Sequence, residues 1–115
     1  MLPTQIIYQY ASLIDAKRFS DLHLIMWDDF SLTGSYELKG LDVFTGAVEH
    51  NLSQYKNTMH FIGNVEGEWS GDTYTGNTYC TASHIFEEDG QLKKLDMGII
   101  YNDTIESRGG KAKFL

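Results

Sequence analysis

The chain has 115 residues, 42% of them hydrophobic, and its fifteen aromatics (two Trp, seven Tyr, six Phe) are enough to build one core without staples. Nine Lys and Arg against sixteen Asp and Glu leave a net charge of −7, which repels phosphate backbones and anionic bilayers and argues against nucleic-acid and membrane partners. The single cysteine, Cys80, cannot close an intrachain disulfide, no apolar run nears the ~20 residues of a bilayer span, and no secretory-type start is visible. One domain, 1–115, in a cytoplasmic setting is the expectation.

Ile6, Ile7, Tyr10, Leu13 and Ile14 recur at spacings of three and four, which predicts a helix from Thr4 to about Ala16, with Thr4 as its N-cap after Pro3. Ser20 is a second capping hydroxyl ahead of Leu22, Leu24, Ile25 and Met26, so a short helix ending near Trp27 is expected. Residues 30–39 read as extended with a bend at Gly34. Leu41, Val43, Phe44, Val48, Leu52 and Tyr55 then predict a third helix over about 41–55.

After Asn57 the composition changes to Thr, Val, Tyr, Ile and Gly. Strands are predicted at about 58–69, 72–86 and 92–106, joined at 70–72 and 87–91 by connections short enough for antiparallel hairpins. Lys111–Leu115, after Gly109 and Gly110, can add a fourth strand. Helices followed by hairpins imply an α+β fold with segregated layers, and Gly63, Gly67, Gly76 and Gly98 would let the sheet bend into a concave face.

Asp15 ends the first helix, beside its apolar stripe and on one side with Tyr8 and Ala11; a carboxylate gains nothing from the helix dipole there. His60 opens a strand and, by alternation, shares a face with Ile62 and Asn64, while His84 shares one with Cys80, Ala82 and Phe86. Antiparallel pairing through 70–72 places the two histidines at similar distances from the hairpin. By the same alternation Met59, Phe61, Val65 and Trp69 line the opposite face, which a homodimer through the sheet would cover. His23 and His50 read as surface residues and Cys80 as a buried one.

The stretches YQYASLIDAKRFSDLHLIMWDDF at 8–30, TMHFIGNVEGEWSGDTYTGNTYC at 58–80 and GIIYNDTIES at 98–107 resemble the SnoaL-like members of the nuclear transport factor 2-like superfamily. That group includes polyketide cyclases, scytalone dehydratase and the hexachlorocyclohexane dehydrochlorinase. The resemblance implies a cone-shaped α+β barrel with the N-terminal helices packed into the concave face of a curved, mainly antiparallel sheet.

It also implies a lyase- or isomerase-type activity without a cofactor, with Asp15 orienting His60 and His84 as a second histidine. Tyr8 is matched to a pocket tyrosine, and Asn64, Trp27 and Tyr101 are candidate binding residues for a small apolar or aromatic ligand. An imidazole, with an unperturbed pKa of about 6.5, can take and return a proton near neutrality. Two departures from the family stand out. No closing C-terminal helix is expected within these residues, and no late arginine like that of the dehydrochlorinase, since Arg108 adjoins the last turn.

Two histidines and an aspartate could also hold Fe(II) or zinc, but no close His-x-Asp or His-x-x-x-His spacing supports a metal. The rival reading is a non-catalytic ligand-binding or protein-interaction module of the same fold.

Overall fold

The computed structural model describes residues 2–115. Helix α1 (Pro3–Asp15) is followed by a 3₁₀ segment (Phe19–Leu24), a small hairpin of β1 (Ser31–Thr33) and β2 (Glu37–Lys39), and helix α2 (Leu41–Leu52). Four strands complete the chain: β3 (Asn57–Ser70), β4 (Thr73–Glu88), β5 (Gln91–Arg108) and β6 (Lys111–Phe114). They form an antiparallel sheet in the order β3-β4-β5-β6. The helices cover one face of this cone-like arrangement, and the sheet stays open, with β3 and β6 as its edges rather than the closed barrel expected.

Local chemistry explains the boundaries. Pro3 takes the first helical position, where its missing N–H costs nothing, so α1 begins there with Leu2 at the cap and without a Thr4 side-chain cap. Its end is a Schellman closure: Lys17 donates to the Ile14 carbonyl at 3.0 Å and Arg18 to Leu13 at 2.9 Å. Lys17 takes the left-handed φ of 56° usually left to glycine. The Asp89–Gly90 pair turns β4 into β5 with φ of 55° and 75°, the twist a two-residue hairpin needs. Ser20 begins no α-helix; the 3₁₀ segment stops at Leu24, and α2 ends three residues before Tyr55.

A single buried cluster draws Ile6, Ile7 and Ile14 of α1, Leu22, Phe44 and Leu52 together with Tyr74, Ile105 and Phe114 from the sheet. Along β4 the even positions Tyr74, Thr78, Cys80, Ala82 and His84 are buried and the odd ones between Thr75 and Thr81 exposed, so β4 presents one face to the helices. Phe114 locks the far edge: its N–H donates to the Ile25 carbonyl at 2.8 Å, and its carbonyl accepts from Trp27 at 3.0 Å.

Strand β3 departs from simple alternation. Ile62 pairs with Cys80 but Val65 with Thr78, so Gly63 and Asn64 together oppose Tyr79 in a β-bulge. The inserted residue shifts the pleat by one. Val65 and Trp69 therefore pack on the core with Ile62, whereas Met59 and Phe61 stay on the outer face, at 58% and 68% exposure. Tyr79 and Ile100, paired across β4 and β5, are the outer-face apolar residues that replace them.

Candidate functional site

Asp15 is the last residue of α1, and the Schellman closure behind it aims the side chain at the open edge of β3. There one carboxylate collects three donors. The His60 backbone N–H meets Oδ2 at 2.9 Å, while His60 Nδ1 at 2.7 Å and the Thr58 hydroxyl at 3.0 Å both reach Oδ1. The dipole at this helix end disfavours the charge; the three charge-assisted bonds offset it. An edge-strand N–H that would otherwise lie open is thereby satisfied too.

This geometry fixes the histidine. Bonded to a carboxylate, Nδ1 carries the proton in the neutral ring and Nε2 is left with its lone pair. The His60 side chain is only 7% exposed. Its ring stands edge-on to Tyr10 at 6.3 Å between centroids and 6.2 Å from that of His84. His84 lies opposite Thr58, one diagonal step from His60, and packs at 4.7 Å against Tyr55. It is 6% exposed, and its Nδ1 has no hydrogen-bond partner among the described residues.

A cavity of about 440 Å³, lined in part by Tyr10, lies between β1 and the stretch of β5 that β6 leaves unpaired. Ile7, Phe30, Phe44 and Ile62 give it apolar walls, and Tyr10, Thr78, Tyr101 and Asp103 supply its polar groups. Burial pushes the Tyr10 and Tyr101 phenols far above the ordinary tyrosine range, so both stay protonated. It also raises the Asp103 carboxyl, against the pull of the Thr78 hydroxyl that donates to it at 2.7 Å. The Cys80 thiol is pushed up chiefly by burial and then by the charge of Asp15, which leaves it a packing residue.

The site residues expected from the sequence thus separate into three groups. Asp15, His60 and His84 cluster together, and Tyr101 lines the cavity; none of the first three does. Tyr8, Asn64 and Trp27 stand elsewhere. Tyr8 is a step of about 100° around the helix from buried Ile7 and is 53% exposed. Asn64 is carried outward by the bulge. Trp27 is a corner post: its indole N–H donates to the Glu106 carbonyl at 2.8 Å, and Arg108 and Lys113 lie 4.8 and 4.7 Å over its ring. Arg108 is itself committed to Asp29 through two bonds of 3.0 Å and to Glu106.

Thr78 and Asp103 were not among the expected residues, and Tyr10 was expected as an aromatic on the apolar stripe of α1. Among the described residues no three of His, Cys, Asp and Glu gather as a metal ligand set, and no helix is long and apolar enough to cross a membrane.

An α+β cone with an Asp–His pair at the end of its first helix defines a class of fold, and a family model sharpens it. Residues 4–114 match the SnoaL-like domain, and the chain belongs to that family. Its fold is shared with solved structures of low identity. The Kfla4162 protein of Kribbella flavida superposes with a TM-score of 0.85 at 17% identity, over 96% of this chain and 82% of that one. A proposed scytalone dehydratase from Novosphingobium aromaticivorans DSM 12444 gives 0.85 at 16%, over 96% and 75%. The hexachlorocyclohexane dehydrochlorinase LinA-type3 of Novosphingobium barchaimii LL02 gives 0.78 at 21%, over 95% and 76%. Among curated proteins no relative matches the chain.

Proposed function

We propose that the protein is a cofactor-independent lyase or isomerase acting on a small apolar or aromatic molecule, with Asp15 and His60 as its acid/base pair. The observation that carries this reading is the part-buried 2.7 Å contact between Asp15 Oδ1 and His60 Nδ1, near a cavity with largely apolar walls. With Nδ1–H tied to Asp15, Nε2 takes a proton from a carbon next to a carbonyl, and Asp15 stabilises the imidazolium that forms. The C–H electron pair becomes a C=C bond. Either the carbonyl oxygen takes the charge, giving an enolate, or a β-substituent leaves with its bonding pair.

Tyr10 and Tyr101, both protonated and hydrogen-bonded to each other, leave one O–H free as the donor suited to the developing oxyanion, and His84 is the second group able to give a proton to a leaving hydroxide. Tyr10 touches the His60 ring and also lines the cavity, so substrate approaching Nε2 from the cavity passes its ring. Similarity to structures described as a dehydratase and a dehydrochlorinase agrees with elimination.

The test is turnover of a panel of cyclic β-hydroxyketones, followed through the absorbance of the enone product. Elimination by the parent and its loss in His60→Gln is the expected result; no elimination, or equal rates, rejects it. The outer-face patch of Met59, Phe61, Tyr79 and Ile100 supports a second proposal, a homodimer packed sheet to sheet.

That Asp15, His60 and His84 do not line the cavity favours the alternative, a ligand carrier without chemistry. A carrier would bind the same compounds, convert none, and be indifferent to His60→Gln.

A further inference from the structure

The cavity holds one side-chain carboxyl among its described lining residues, Asp103, and nothing in the acid/base scheme uses it. Its setting is built. The cross-strand partner of Asp103 is Gly76, which offers no side chain to meet it. The space left there is filled by Tyr74, whose hydroxyl lies over both Gly76 and Gly67: a Cβ on Gly67 would come within 2.6 Å of it. Thr78 Oγ1 donates to Asp103 Oδ2 at 2.7 Å. Tyr101, two residues away, shares its face of β5. Partly burying a carboxylate is costly, and one hydroxyl satisfies only part of its acceptor capacity.

The register sets the distance to the acid/base pair. Asp103 pairs with Gly76 and His60 with Ala82, six residues along β4 and therefore roughly 20 Å of strand. Tyr10 spans the interval, 6.3 Å from His60 and 6.2 Å from Tyr101 by ring centroid. Asp103 is therefore out of reach of the bond that His60 would act on.

We propose that Asp103 is the specificity-determining anchor of the cavity: it accepts a hydrogen bond from a hydroxyl on one end of an otherwise apolar cyclic ligand and so directs the other end toward Tyr10. The ligand class is a hydroxylated ring system, phenolic or alicyclic, and an unsubstituted hydrocarbon of equal size is discriminated against. The inference rests on the cavity being the ligand site but not on catalysis.

The probes are 2-naphthol, which carries the donor, and 2-methoxynaphthalene, which lacks it, titrated by calorimetry into the parent, Asp103→Leu and Asp103→Asn. A charge-assisted bond should give the naphthol about a tenfold preference in the parent. In Asp103→Leu the preference disappears while the methoxy compound binds as before, a pattern that general damage to the fold would not produce. In Asp103→Asn it falls to a few-fold, since an amide oxygen still accepts. Should the leucine variant fail to fold, the asparagine variant decides.

A preference unchanged in either variant overturns the assignment, as does equal binding of both probes by the parent. No binding of either overturns the cavity itself as the ligand site. His60→Gln keeps the naphthol preference in this account, so failure of the anchor and failure of the acid/base reading are read separately.

Discussion

Replacing Asp15 with asparagine separates what this side chain does for the fold from what it does for His60. Two of its three donors can reverse and one cannot. The Thr58 hydroxyl can rotate to accept and the imidazole can move its proton to Nε2, but the His60 backbone N–H can only donate. The amide oxygen must therefore face that N–H, at the Oδ2 position, and the NH₂ must face Nδ1. His60 is then forced into the other tautomer, with Nδ1 accepting and Nε2 protonated. All three contacts survive with their directions changed, so the stability cost is about 1 kcal/mol, the difference between charged and neutral hydrogen bonds. In a domain of this size that is roughly 4 °C in Tm.

In the proposed scheme this removes the lone pair at Nε2, and turnover is expected to fall by on the order of 10⁴, as for the carboxylate–histidine pair of a serine protease. Nitrogen-detected NMR of ¹⁵N-histidine-labelled protein, recorded on the neutral imidazole, reads the tautomer directly. The parent should show protonated Nδ1 and the variant protonated Nε2. The same tautomer in both refutes the reasoning. So does a fall in Tm above roughly 15 °C, which would mean the donors were left unsatisfied.

Three further outcomes follow from the packing. Gly76→Ala puts a Cβ against the Tyr74 hydroxyl and 2.6 Å from the Glu66 carbonyl; a loss of about 2–3 kcal/mol by thermal or urea unfolding is expected, partly recovered by adding Tyr74→Phe. Burial raises the Asp103 carboxyl, so the folded state holds its proton more tightly than the unfolded chain, and stability falls as pH rises from the unfolded to the folded value. Asp103→Asn should accordingly raise Tm at neutral pH by roughly a degree or two, with the gain fading below about pH 4, and a lower Tm at neutrality would contradict this. Phe61→Glu on the outer face should shift sedimentation from dimer to monomer without lowering Tm measured at high dilution, and an unchanged association state would reject the sheet-to-sheet pairing.

Element order was legible because hydrophobic period and turn chemistry agree along most of the chain. The Asp89–Gly90 and Gly109–Gly110 pairs mark hairpins through the positive φ they require, and the helical spacing of α1 and α2 is unbroken. The bulge at Gly63–Asn64 was not legible. An inserted residue leaves no mark in composition, so strict alternation sent Val65 and Trp69 outward and Asn64 inward, the reverse of what the structure shows.

The contact of Asp15 with His60 was legible only through resemblance, because helix end and strand edge are 45 residues apart. Tyr10 rather than Tyr8 faces inward because it stays with Ile6, Ile7 and Ile14 on the buried side. Asp103 and Thr78 carried a signal that was passed over. Alternation from Tyr101 through Asp103 to Ile105 puts a carboxyl on the buried face of β5, and a buried carboxyl calls for a partner.

Proton transfer by Asp15 and His60, as proposed, is read out by hydrogen–deuterium exchange at the α-carbons of 2-tetralone in D₂O. This two-ring ketone asks only for the first chemical step. Exchange followed by proton NMR should be accelerated by the parent and return to the buffer rate with His60→Gln. Equal exchange with the two proteins, or none above buffer with either, would contradict the account.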